Sequence, residues 1–74
     1  MERPYSRALR AVVELFGSQD KTAVATGIPQ GTISRWLRGV VEKLPYDAPL
    51  KFERASGGRI KAAEFYPLES DGEK

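Results

Sequence analysis

The chain has 74 residues, 41% hydrophobic and 30% charged, with 12 Lys and Arg against 10 Asp and Glu, a net charge of +2. That length holds one small domain with a thin stability margin, so burial against a second copy is a natural source of extra core. There is no cysteine and no histidine, which removes disulfides, the usual zinc ligands, nucleophile–base pairs and neutral-pH proton shuttles. Catalysis and a bound metal or cofactor are not expected, nor is a small-molecule substrate.

Pro4 suits the first position of a helix, where its fixed φ is an asset and its missing N–H is not needed. Tyr5, Leu9, Val12, Val13 and Phe16 then recur at i, i+4, i+7, i+8 and i+11, one apolar stripe of an amphipathic helix. Arg7, Arg10 and Glu14 lie away from it, and Gly17 is the expected stop. Ser18 can cap a second helix over Gln19 to Thr26, with Asp20 favourable at its positive dipole end. Its apolar face is thin: Ala23, Val24 and the methyls of Thr22 and Thr26. Such a helix depends on its neighbours.

Pro29 stands at or just before a third helix that runs to about Arg38 and stops at Gly39. Ile33, Trp36, Leu37 and Val40 form its apolar face at i, i+3, i+4 and i+7. Trp36, on that face, is expected in the core and not as a stacking platform. Neither Ile28 nor Pro29 carries a capping oxygen, so the first N–H groups of this helix look outward, toward water or a phosphate. Residues 41–46 connect to a fourth helix, with room for a short extended piece. That helix runs from Ala48 to Ser56, with Asp47 as its cap and Pro49 tolerated in its first turn. Ala48, Phe52 and Ala55 share a face that Leu50 does not join. Gly57 and Gly58 end it, and Lys61 to Phe65 make a last helical turn. Residues 68–74 read as a disordered acidic tail after a domain spanning 1–67.

Residues 19–39, QDKTAVATGIPQGTISRWLRG, have the steric pattern of a helix-turn-helix. Ala23 is small where two helices meet closely, Gly27 can take positive φ in the turn, and Ile33 anchors the second helix. Gln30, Gly31, Ser34, Arg35 and Arg38 are then left outward. Gln pairs bidentately with adenine and Arg with the O6/N7 edge of guanine. Base contact is therefore assigned to Gln30, Gly31, Ser34 and Arg35. For Gly31 two readings stand: close approach of the backbone to a base, or mere tolerance of glycine in a first turn. Gln19, Lys21, Thr32 and Arg38 are assigned to phosphate, with Arg38 equally suited to a base. Residues 1–67 hold 11 Lys and Arg against 7 Asp and Glu, whereas 68–74 hold one Lys against three acids. From Lys21 to Val41 there are three basic residues and no acid, the local field that phosphate attraction needs. Arg54, Arg59 and Lys61 form a second basic group, read as solvated.

At KTAVATGIPQGTISRWLRG and again at FERASGGRIKAAEF, the chain resembles the Cro-like repressors of phages and prophages, within the lambda-repressor-like helix-turn-helix class. It is also similar to the YdaS family of small prophage DNA-binding proteins, which carry an IERATGGRV-type segment after the motif. The resemblance implies a homodimer in a bacterial cytoplasm, bound to a short near-palindromic double-stranded operator and blocking transcription. By motif position it assigns groove contacts to Gln30, Gly31, Ser34 and Arg35, and a phosphate contact to Gln19. The chain departs from the pattern at Thr22 and Thr26, where larger apolar residues are usual, and at Pro29, where Ser or Thr caps the helix.

The expected architecture is an all-α compact bundle of four to five short helices, with a short strand element admitted in the C-terminal part. Leu50, Phe52, Ile60 and Phe65 are the candidates for the dimer contact. An antitoxin or an activator would use the same motif, and a helical protein-interaction module is the alternative from another class. No apolar run approaches the ~20 residues of a bilayer span, and MERPYSR lacks the apolar core of a secretory signal. These features fit a soluble intracellular protein without a membrane partner.

Overall fold

In the computed structural model, which describes residues 2–65, Pro4 does not open the first helix. It sits with Tyr5 in a turn closed from both ends. The Ser6 amide donates to the Arg3 carbonyl at 2.9 Å, and the Arg3 amide donates to Ser6 Oγ at 2.8 Å. This reciprocal pair moves the helix start downstream, so α1 spans Ser6–Phe16 and ends at Gly17. Next come α2 (Gln19–Thr26), α3 (Gln30–Leu37) and α4 (Ala48–Ala55), and a 3₁₀ turn over Ala62–Phe65 closes the described chain. No strand occurs among the described residues; the connector after α3 is a series of bends. The tail assigned to residues 68–74 lies outside the described residues.

The three aliphatic and aromatic positions Tyr5, Leu9 and Val12 of the first stripe are buried, with Val13 and Phe16 packed at the edge. Against them stand Ile28 from the turn after α2, Ile33 and Trp36 from α3, and Phe52 from α4. Trp36 meets Phe52 edge to face, ring centroids 6.2 Å apart, and Phe52 stacks on Phe65 at 5.1 Å. Phe52 is thus the hub of the aromatic core, where truncation to alanine costs about 3–5 kcal/mol. Phe52 and Phe65 are therefore core residues, buried within the one chain and with no surface left for a second copy, and Ile60 is half-buried against the same cluster. Of those four residues, Leu50 alone is exposed, at 52%.

Three further positions differ from the sequence expectation. Val24 is 86% exposed, and Thr22 takes its place in the core with no exposed surface. Burial of the Thr22 hydroxyl is satisfied locally, since Oγ1 donates to the Ser18 carbonyl at 2.8 Å. Val40 is half-exposed because Gly39 turns the chain with φ 75° before the valine can rejoin the α3 face. Asp47 adopts helical backbone angles and makes no side-chain cap; its carboxylate pairs instead with Lys51 one turn on, at 3.5 Å.

The SGGR segment behind α4 is a hydrogen-bonded turn. Ser56 Oγ donates to the Glu53 carbonyl at 3.0 Å and accepts from the Ile60 amide at 3.1 Å. Gly57 and Gly58 both take positive φ, 67° and 87°, conformations that side chains resist. Glu53 Oε1 then accepts from the Ala62 amide at 2.8 Å, tying α4 to the closing turn. The radius of gyration, 11.7 Å, matches the ~11 Å of a compact chain this long. No helix among the described residues is long and apolar enough to cross a membrane.

Candidate nucleic-acid interface

Ser18, in extended conformation, accepts from the Lys21 amide at 3.1 Å and so sets the first turn of α2. Gly27 ends that helix in the left-handed region, φ 78°, its amide donating to the Ala23 carbonyl at 2.8 Å. A Cβ at Gly27 would meet nothing within 4 Å, so backbone conformation and not space demands glycine there. Thr26 Oγ1 accepts from the Ile28 amide at 3.2 Å, which holds the turn while Ile28 enters the core. Pro29, φ −56° and ψ 140°, is extended and leads into α3. Thr26 thus fastens the turn through its hydroxyl, whereas the Thr22 hydroxyl is satisfied within α2 at the Ser18 carbonyl.

The core side of α3 is formed by Ile33, Trp36 and Leu37. At 100° per residue, Gly31, Arg35 and Arg38 fall on the opposite side of the axis, with Gln30 and Ser34 along one flank and Thr32 on the other. Gln30, Gly31, Arg35 and Arg38 are exposed; Thr32 and Ser34 are half-buried. Pro29 provides no side-chain cap, so no oxygen at the N-cap position satisfies the first amides of α3.

The sharpest geometric feature joins the two helices of the turn at their N-termini. Gln30 Nε2 donates to Gln19 Oε1 at 2.9 Å. Gln19 is half-buried, and its amide is thereby fixed beside the outward flank of α3. Lys21 stands apart from this pair. It lies two residues farther on, roughly 200° around the helix axis from Gln19, and its side chain lies over Gly17, where a built Cβ would be 3.5 Å from Lys21 Cδ.

Arg10 pairs with Glu2 at 3.0 Å and Lys51 with Asp47. The sequence from Lys21 to Val41 itself contains no acid. One basic group near α3 went unmarked in the sequence reasoning. Arg3 Nε donates to the carbonyl of Gly39 at 3.0 Å, bringing its guanidinium to the C-terminal end of α3. Two residues along, Tyr5 Oη donates to the Val41 carbonyl. Thirty-six residues separate each of these pairs, and no local pattern announces a contact of that range. Arg54, Arg59 and Lys61 remain exposed on and after α4.

An exposed guanidinium on a helix whose first turn holds an amide and a bare backbone offers donors for base edges and for phosphate. No protein-family model matches the chain, and no curated protein and no solved structure matches it.

Proposed function

We propose that this chain is a sequence-specific double-stranded DNA-binding repressor of the Cro-like prophage type, acting as a homodimer on a near-palindromic operator. The observation that carries the reading is the hydrogen bond between Gln19 and Gln30. It engages one of the two hydrogens on Gln30 Nε2. The second hydrogen and Oε1 stay available, the donor and acceptor that adenine N7 and N6 require. Gln19 keeps its own Nε2 hydrogens for a phosphate at the groove edge. One such pair orients a base reader and a backbone anchor together, the arrangement that simultaneous base and phosphate contact needs.

Arg35 supplies the guanidinium for a guanine edge, Ser34 and Gly31 adjoin it, and the backbone is held by Thr32 on one flank and by Arg38 at the far end of the outward face. Repression then follows from occupancy, since a copy seated in the major groove over a promoter excludes polymerase. Neither a cofactor nor catalysis has a part in it.

Selection of bound sites from a pool of random duplexes tests the reading. The expected product is a near-palindrome whose half-sites are centred about 10 base pairs apart. A selected pool as random as the input, or an NMR titration with the best duplex that leaves amides 30–38 unmoved, would refute it. Transcription in vitro with the selected site across a promoter separates the mechanisms: transcript falls for a repressor and rises for an activator.

A further inference from the structure

We infer that the outward face of α4 is where two copies of this chain meet, their α4 helices antiparallel across a two-fold axis near Leu50. The inference rests on the dimer in the reading above and not on its DNA chemistry.

Of the large hydrophobic residues exposed on the described chain, two lie four residues apart here: Tyr46, in the turn before α4, at 87% and Leu50 at 52%. Beside Leu50 a groove of about 420 Å³ runs between α2 and α4, lined by Ala25, Thr26 and Ala55 together with the charged Asp47, Lys51 and Arg54, and a second of about 280 Å³ runs past Leu50 toward Gly57 and Gly58. Leu50 is therefore a ridge between two grooves, the shape that an identical ridge can enter.

Charge identifies the occupant. Ala48, Phe52 and Ser56 face the core, which leaves Asp47, Lys51 and Arg54 within about 60° of Leu50 or of one another on the outer side. Together with Glu53, that side of α4 has two acids and two bases, a balance that gives phosphate little attraction on the helix itself, and Asp47 already meets Lys51 one turn on within the same copy. The order is self-complementary. Asp47 precedes the ridge and Arg54 follows it at i+7, two turns along the same side. Reversing a second helix over the first sets each Asp47 against the other copy's Arg54, twice, while each Leu50 meets the groove across from it. An isologous contact requires this kind of matching.

The face is small. A helix of eight residues is about 12 Å long, and its outer side alone falls below the ~1,000 Å² of a standard interface. The dimer is consequently weak when free and tightens when an operator holds two copies side by side, through effective concentration.

Sedimentation of the full chain without DNA, with NMR line widths over the same dilution series, tests this. Wild type is expected to self-associate at or below about 1 mM. Leu50→Asp, at an exposed position, is expected to weaken association about tenfold or more with melting temperature retained. Asp47→Arg and Arg54→Asp each place like charges across the axis and are expected to be monomeric singly, whereas a 1:1 mixture restores both opposite-charge pairs and dimerises. Wild type that stays monomeric to about 1 mM, or association untouched by Leu50→Asp and by the charge exchange, overturns the inference. Failure of the DNA reading looks different: a chain that dimerises through α4 yet selects no duplex sequence.

Discussion

Gly31 is the outward residue of α3 that the protein's own packing does not require. Its φ is not in the left-handed region, and a Cβ there would meet nothing within 4 Å. Within a helix, glycine instead of alanine costs about 0.5–1 kcal/mol. Gly31→Ala is therefore expected to raise stability by that amount in denaturant unfolding while weakening binding to the selected operator. A more stable variant with unaltered affinity would leave glycine as simple tolerance in a first turn. Arg35, exposed and opposite the core face, is open to the converse test. Arg35→Ala is expected to leave stability within about 0.5 kcal/mol and to relax base preference at one position per half-site by about 1–3 kcal/mol. Competition binding against single-base operator variants reads this directly, and an unchanged preference profile removes Arg35 from the base-reading set.

Among the elements, the segment entering α1 has a role that periodicity does not suggest. Arg3 and Tyr5 both reach the chain where it leaves α3, at Gly39 and Val41, so the presentation of α3 depends on an N-terminal clasp. Tyr5 is 2% exposed, and burial pushes its hydroxyl above the ordinary tyrosine range. A folded-state pKa above the unfolded value gives a stabilisation fully present below about pH 10 and lost as pH rises past it. Tyr5→Phe, which deletes the donor to Val41, is expected to cost about 1 kcal/mol near neutrality and to flatten the alkaline decline. Denaturant midpoints measured from neutral to alkaline pH check both. A variant whose midpoint falls above pH 10 as steeply as wild type would show that another group is responsible. The clasp also explains why Pro4 lies in a turn: the Arg3–Ser6 reciprocal pair positions the residues that reach across.

For the molecule as a whole, the chain has a single α3 of eight residues, about 12 Å long. On the proposed function that length serves one major groove, and reading two successive grooves on one side of a duplex would need recognition helices about 34 Å apart and hence a second copy. Charge acts at the same scale. With +4 on residues 1–67 and no acid from Lys21 to Val41, binding is expected to weaken linearly on a log–log plot against salt, with a slope near −0.9 per phosphate contacted. A titration series from low to physiological salt measures it, and a flat response would point to a partner other than nucleic acid.

Local chemistry determined where most of the helices stop and which way α3 faces. The stop at Gly17, the Ser18 cap, the left-handed Gly27 and the sorting of α3 into an Ile33–Trp36 side and a Gln30–Arg35 side all follow from backbone preference and 3.6-residue periodicity. Those forces act within a few residues. Tertiary structure decided whatever depends on residues distant in the chain. It placed Thr22 in the core in preference to Val24 and took Phe52 and Phe65 into an aromatic stack. It also joined Gln19 to Gln30 and Arg3 to Gly39. The physical reason is that a side chain's pattern says which residues prefer burial, whereas packing several helices in three dimensions settles which of them find a partner.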